Sequence, residues 1–198
     1  MKQVACLLLV IVLASCSNKR QEKKVDTTSS LSEDSASIFS NAVTTWIDSN
    51  LHTSSSILTH EERWQDDSVH AEPYQVPEGF VKNYSPLLRW SPDSTLILDF
   101  GSHGSLIVPN KKGHPHLEKG EPETEIALVD MEHNQRTRLL YVGPSAKILD
   151  GLWLDNSELM ILGTFKSDGG VTDTLSWKID LQENLFILYN VKSSAINN

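Results

Sequence analysis

The sequence predicts a mainly β protein of two similar four-stranded antiparallel sheets, preceded by one amphipathic helix. From Tyr84 onward, seven short apolar runs are separated by turn residues at the spacing typical of antiparallel sheets. One group of these runs can also be aligned with another, which predicts two copies of one unit over 84–192. The predicted strands are TLILDF (95–100), TEIALVDM (124–131), RTRLLYV (136–142), KILDGLWL (147–154), ELMILGTF (158–165), TLSWKID (174–180) and LFILYNV (185–191).

The alignment of the two copies depends on two pairs of segments. WSPDSTLIL at 90–98 lies over WLDNSELMI at 153–161, and ALVDMEHN at 127–134 lies over WKIDLQEN at 177–184. The offset falls from 63 to 50, so the first copy contains 13 additional residues. Asp and Asn are favoured in such turns because they accept backbone N–H groups there. The residues that define the repeat are Trp90 with Trp153, Asp93 with Asn156, and Asp130 with Asp180.

Trp90-Ser91-Pro92-Asp93, followed by an apolar strand, resembles the TolB-like β-propeller repeat over about 84–192. Ser94 replaces the usual glycine, and Leu154-Asp155 replaces Ser-Pro in the second copy. The resemblance implies two propeller-blade-like sheets. Propellers close with four or more blades, and two blades leave sheet edges that must be covered. We expect the helix and residues 52–83 to seal an edge; the alternative is a partial ring completed by association.

The N-terminal residues predict export. Lys2 precedes an uncharged apolar run from Val4 to Ala14, which is too short to span a membrane and indicates a signal peptide over 1–15. Leu13-Ala14-Ser15-Cys16 resembles the lipobox of bacterial lipoproteins. The resemblance implies that Cys16 becomes the lipidated N-terminus, and a coincidental cysteine is the alternative. Two or more acyl chains anchor a protein stably.

Charge and cysteine content narrow the possible functions. Removal of the signal peptide takes Cys6 and lipidation takes Cys16, so no thiol remains for a disulfide, nucleophile or metal site. The mature chain has 16 basic and 26 acidic residues, a balance that argues against nucleic-acid binding. The covalent lipid is the only cofactor we expect. Ser17 is not the aspartate that retains some lipoproteins at the inner membrane, and no acidic run follows Cys16. By this resemblance we expect an outer-membrane anchor facing the periplasm.

The segments between the signal peptide and the repeats are less regular. Residues 16–37 are poor in apolar side chains and predict a flexible, lipidated tether. Residues 38–83 predict a helix followed by an irregular segment, in which an acidic cluster and two prolines indicate a long loop with one short strand. WQDDSV (64–69) echoes the repeat turn, but we interpret it as coincidence because no apolar strand follows. The helix is predicted by a one-sided apolar stripe of Ile38, Phe39, Ala42, Val43, Trp46, Ile47 and Leu51.

The additional residues of the first copy lie within 101–123 and contain candidate metal ligands. His114, His116 and Glu118 alternate along one side of an extended segment, with His103 nearby in sequence. Histidine and carboxylate ligands could bind zinc or copper. An exposed hairpin explains the same residues equally well, so a metal site is a hypothesis only.

The sequence favours a binding protein over an enzyme, since it lacks a Gly-x-Ser-x-Gly elbow and a phosphate-binding Gly-rich loop. The leading hypothesis is a membrane-anchored envelope lipoprotein whose non-catalytic β domain binds a protein partner or an envelope polymer. The alternatives are a metal-binding protein or metal-assisted hydrolase that uses the histidine-bearing insertion, and a structural component of an envelope assembly.

Overall fold

A computed structural model describes residues 41–109 and 116–193 of the chain. The elements are α1 (Asn41–Leu51), β1 (Ser56–Gln65), β2 (Ala71–Pro73), α2 (Phe80–Tyr84), a 3-10 turn (Ser85–Leu87), β3 (Leu88–Trp90), β4 (Leu96–Asp99), β5 (Ser105–Val108), β6 (His116–Lys119), β7 (Thr124–Asp130), β8 (Gln135–Val142), β9 (Ala146–Trp153), β10 (Glu158–Lys166), β11 (Thr172–Asp180) and β12 (Leu185–Ser193). Sheet A has the strand order β1-β12-β11-β10-β9 and sheet B the order β2-β8-β7-β4-β3, while β5 and β6 pair only with each other.

The predicted mainly β fold is confirmed. All seven predicted strands are present, as β4 and β7 to β12, with ends close to those predicted. The predicted helix is present as α1, in which Val43 and Ile47 are buried. Ile38 and Phe39, which were included in that helix, lie outside the described residues.

Each sheet has five strands, however, and not the four that were predicted. β9 to β12 form a consecutive antiparallel series, and β1 adds to its outer edge; β3, β4, β7 and β8 form the matching series, and β2 adds to its outer edge. Both added strands come from 52–83, where a long loop with one short strand was predicted. The three-residue β2 fits the short strand, but the ten-residue β1 contradicts the long loop. β1 was missed because most of its side chains are exposed and it shows no apolar alternation. Its charges suit an edge strand, where they oppose pairing with other chains.

The two added strands dock in the same way. The N–H of Asp66, just after β1, donates to the carbonyl of Asn184 at 3.0 Å, and the N–H of Tyr74, just after β2, donates to the carbonyl of Asn134 at 2.8 Å. Asn134 and Asn184 match in the aligned copies, and both have positive φ, at 53° and 47°. Asparagine tolerates this left-handed conformation, so one turn type provides the same docking point twice.

The sheets and helices form four layers. The largest core cluster lies between the sheets, and includes Leu98, Ile126, Leu159 and Phe186. A second cluster joins α1 to the opposite face of sheet A, and a third, around Phe80, covers the opposite face of sheet B. A sheet with two apolar faces needs a partner on each. The two short helices therefore close the two outer faces of the pair.

The sheets stack front to back. The two sheets can be compared through the strand pairings of Asp130 and Asp180, which match in the aligned copies. Asp130 pairs with Leu96 in sheet B, and Asp180 pairs with Glu158 in sheet A. Counting along the strands from these pairs, Ile97 is therefore equivalent to Leu159 and Leu98 to Met160. Leu98 faces sheet A, whereas Met160 faces α1; Ile97 faces α2, whereas Leu159 faces sheet B. Equivalent side chains thus point in the same sense along the stack. The register also corrects the sequence alignment by one residue after the tryptophans. Trp90 pairs with Ile97, whereas Trp153 pairs with Leu159 and not with Met160, the residue that the alignment places over Ile97.

This stacking explains why the two repeat tryptophans have different surroundings. Trp153 packs against the core between the sheets, and its indole N–H donates to the carbonyl of Arg89 at 3.0 Å. Trp90 shares a face with Ile97 and is 44% exposed. Trp153 of sheet A therefore faces sheet B, whereas Trp90 of sheet B faces a side where the described part of the chain provides no further sheet.

Candidate functional site

A polar cleft of about 310 Å³ lies between the segment that carries β2 and the outer part of sheet B. Its volume is at the lower end of the range for ligand sites, about 300–1,000 Å³. Strand β2 is short, so the segment before it leaves a gap beside β8. The cleft is lined by Asp66, Ser68, Val69, His70, Glu72, Pro73, Tyr74, Glu125, Arg136, Arg138, Leu139, Leu140 and Tyr141.

An ion network forms the floor of the cleft. The Nη1 of Arg136 lies 2.8 Å from Oδ2 of Asp99, and its Nε lies 2.9 Å from Oε1 of Glu125. Asp99 is fully buried, and its Oδ1 also accepts the backbone N–H groups of Gly101 and Ser102. Burial disfavours the charge on Arg136, but the neighbouring carboxylates outweigh this effect and raise its pKa above the usual value.

Tyr74 covers this network from the side of the added strand. The Cζ of Arg136 lies 5.2 Å from the centre of the Tyr74 ring, a cation–π distance. Burial raises the pKa of the Tyr74 phenol, although the charge of Arg136 opposes that shift. The phenol therefore stays neutral at physiological pH and remains a hydrogen-bond donor.

The rim of the cleft is exposed and polar. His70 lies 3.4 Å from Glu72, and Arg138 and Tyr141 project from β8 with much of their surface exposed. The Ser68 hydroxyl donates to Asp66 at 2.6 Å and not to His70, so these residues do not form a nucleophile–base pair. The cleft thus offers hydrogen bonds, charge and aromatic surface, which are means of binding.

The predicted metal ligands are only partly described. His116 lies 2.7 Å from Glu118, and His103 lies 3.8 Å from Glu121. His116 opposes Val108 at the far end of the β5–β6 pair from the turn that contains His103, and β5 from Ser105 to Val108 alone spans about 10 Å. Among residues 41–109 and 116–193, no three His, Cys, Asp or Glu side chains are grouped to hold a metal. His114 lies outside these ranges, so the metal site stays a prediction, to be tested by metal analysis of untagged protein.

The repeat-defining acids organise turns. Asp93 Oδ1 accepts the Thr95 N–H at 3.1 Å, and Asp130 and Asp180 accept N–H groups in the turns that follow them. In the second copy this role moves from Asn156 to Asp155, whose Oδ1 accepts two N–H groups at 2.7 Å. Hydrogen bonds from Ser91 and Thr95 lower the pKa of Asp93, and those from Ser157 and Glu158 lower that of Asp155.

The echo at 64–69 proves to be the same turn and not a further repeat. Asp66 Oδ1 accepts the N–H and the hydroxyl of Ser68, as Asp155 Oδ1 accepts those of Ser157. Trp64 precedes this turn and stacks on Phe186 with ring centres 5.3 Å apart. The following strand, β2, is short and exposed at the edge of sheet B, which is why no apolar run follows.

The cleft has no recognisable motif in the sequence. Its only signals were Asp99 at the end of an apolar strand and Arg136 at the start of another, and nothing in their spacing links them. Cys16, the predicted lipidation site, lies outside the described residues.

Comparison of the chain with models of protein families, with curated proteins and with solved structures found no match. Within the described ranges, no helix is long and apolar enough to cross a membrane.

Proposed function

We propose that this chain is a lipid-anchored protein of the bacterial envelope whose two-sheet domain binds a polar segment of a protein partner or envelope polymer without catalysis. The observation that carries the binding role is the cleft beside β8. Its charged floor is held rigidly by Asp99 and Glu125, while Arg138 and Tyr141 remain exposed at its rim. A rigid floor with accessible polar groups above it suits recognition.

The domain belongs, in this proposal, to the propeller type of repeat, with two blades, each extended by one added strand. Front-to-back stacking supports it, because successive blades of a propeller present the same face in the same rotational sense. The described sheets form no closed ring. Helices α1 and α2 take the places that further blades would occupy, as the packing around Ile47 and Phe80 indicates.

The anchor is proposed on Leu13-Ala14-Ser15-Cys16, and the residues after Cys16 favour the outer membrane, facing the periplasm. Mass spectrometry of the protein from envelope fractions tests this directly. We expect an N-terminal Cys16 carrying acyl chains, and Cys16→Ser should appear in the soluble fraction. An N-terminus elsewhere, with an unmodified Cys16, would refute the anchor.

Site-specific photocrosslinking tests the cleft. A photoreactive residue at position 141, in the rim, should give a discrete adduct in cells, and Arg138→Ala should reduce its yield. Position 63 is the matched control, because Arg63 is also exposed on an outer strand but lies in sheet A and does not line the cleft. Equal adducts at both positions, or none at 141, would contradict the proposal. Loss of a larger assembly on deletion without any adduct would indicate a structural role instead.

A further inference from the structure

The described strands run between two opposite ends of the domain, which differ in character. One end, which we call the turn end, consists of the segments 66–70, 91–95, 130–134, 154–157 and 180–184. The hairpin end consists of 52–57, 100–109 with 116–123, 141–147 and 165–173, together with Lys192 opposite Ile57. Strands of eight to ten residues separate the two ends by about 30 Å.

Exposed apolar side chains are concentrated at the hairpin end. Eight large hydrophobic residues are strongly exposed in the described part of the chain, and only Trp90 and Met131 lie at or beside the turn end. Val171 is 62% exposed and Leu106 is 58% exposed, and neither belongs to the buried core. Ile57, Leu106, Ile107, Phe165 and Val171 lie at the hairpin end and do not line the cleft, whereas the sixth, Tyr141, lies where the hairpin end meets the rim of the cleft.

The charges are also divided between the ends. The five segments of the turn end contain no lysine or arginine. The hairpin end carries lysines among its carboxylates: Lys119, Lys147, Lys166 and Lys192, with Glu118, Glu121, Glu123, Asp168 and Asp173. The carboxylates of the turn end are those of Asp66, Asp67, Asp93, Asp130, Glu132, Asp155, Asp180 and Glu183.

We infer that the hairpin end rests on the surface of the bilayer that holds the lipid anchor, with the turn end directed away from it. This rests on the proposed lipidation of Cys16. Twenty-four residues lie between Cys16 and Asn41, and they could extend over about 80 Å, so the tether itself permits contact by either end. The surfaces therefore decide the orientation.

Two properties favour a bilayer over a protein as the occupant. The exposed apolar side chains come from several separate loops around one end, and they suit a soft planar interface into which single side chains insert to shallow depth. Anionic headgroups repel the turn end, which has eight carboxylates and no lysine or arginine, more strongly than the hairpin end, where four lysines offset most of the five carboxylates. With the hairpin end down, the turn end stands about 30 Å away, several times the Debye length of about 8 Å, and its repulsion is screened.

The orientation can be measured on the full lipidated chain. Because the mature protein has no other free thiol, Val171→Cys provides a single labelling site at the hairpin end, and Glu132→Cys provides the matched site at the turn end. Each labelled protein is reconstituted into vesicles of phosphatidylethanolamine and phosphatidylglycerol. Quenching of the label by nitroxide lipids should be at least several-fold stronger at position 171 than at position 132. Leu106→Ser with Ile107→Ser should reduce that difference.

The outcomes separate the two proposals. If mass spectrometry shows an unmodified Cys16 and the protein stays out of the vesicles, the anchor itself is refuted. If the lipidated protein is in the vesicles but the two labels are quenched equally, the anchor stands and the orientation is overturned. Protection of position 171 in native envelope vesicles, but not in protein-free lipid vesicles, would also overturn it and would assign the hairpin end to a protein partner.

Discussion

The side-chain oxygen of Asn156 accepts a hydrogen bond from the backbone N–H of Asp93, at 3.1 Å. Asp155, and not Asn156, is the counterpart of Asp93 by its turn hydrogen bonds, so this contact joins the two similar turns at neighbouring positions. Arg89 and Asp150, 2.7 Å apart, connect the adjoining strands β3 and β9, and Trp46 of α1 donates its indole N–H to the same aspartate. The two sheets and α1 are thus joined at one edge by polar contacts beside the shared core.

Replacing Asn156 by alanine should weaken that edge. The substitution removes the hydrogen bond to Asp93 and should lower the free energy of unfolding by about 0.5–1.5 kcal/mol, measured by urea denaturation. Gln182→Ala is the matched control, because that side chain is exposed in a turn and only its backbone N–H is bonded to Asp180. Equal effects of the two substitutions would contradict a specific role of Asn156.

The ion network beneath the cleft predicts a larger effect. Arg136→Met leaves Asp99 and Glu125 buried without their partner, and removal of one member of a buried ion pair costs about 3–5 kcal/mol. Urea denaturation should show this loss, and adding Asp99→Asn should recover part of it. Arg138→Met, on the same strand but exposed, should change stability little. A similar loss for both arginines would show that the network is not the cause.

Gly151 permits the close approach of the two sheets. A Cβ at this position would overlap Cδ2 of Leu98, in the core between the sheets. Gly151→Ala should therefore destabilise the domain by about 1–3 kcal/mol through overpacking. Combination with Leu98→Val should relieve part of that loss. Gly169→Ala, where a Cβ meets only a distant side chain, should be nearly neutral by thermal denaturation. A neutral Gly151→Ala would mean that the sheets can separate at no cost.

The turn acids predict a loss of stability at low pH. Hydrogen bonds lower the pKa values of Asp93 and Asp155 in the folded protein below their ordinary value of 3.8. Their contribution is complete above the ordinary value and is lost as the pH falls through the lower folded-state values. The free energy of unfolding, measured by urea between pH 6 and pH 2.5, should therefore fall below about pH 4. Asp155→Asn should make that fall shallower, and Asp168→Asn in an exposed loop should not.

The contact between His133 and Asp130 predicts the opposite pH dependence, a loss of stability as the pH rises. The hydrogen bond and charge of Asp130 raise the pKa of His133 above the ordinary value of 6.5. Its contribution is therefore complete below that value and is lost as the pH rises through the higher folded-state value. His133→Gln should remove this decline from urea unfolding curves measured between pH 5.5 and pH 8. His60→Gln, on β1, provides the control. An unchanged pH profile in His133→Gln would contradict the interpretation.

Local periodicity was sufficient to predict the strands that carry regularly spaced apolar side chains. TLSWKID alternates apolar and polar residues and forms most of β11, whereas SILTHEERWQ, which forms β1, shows no such alternation. The structure of β1 depends on its pairing with β12, from Ser56 with Ser193 to Gln65 with Leu185. That pairing spans more than a hundred residues, and a charged edge strand leaves no apolar period by which to detect it.

The sequence by itself determined the mainly β class, the first helix and the seven predicted strands, because these depend on neighbouring residues. Only the tertiary structure decided the fifth strand of each sheet, the front-to-back stacking that buries Trp153 and exposes Trp90, and the convergence of Asp99, Glu125 and Arg136 beneath Tyr74. These features arise from contacts between residues far apart in the chain. Turn chemistry and apolar periodicity carry no information about such distances.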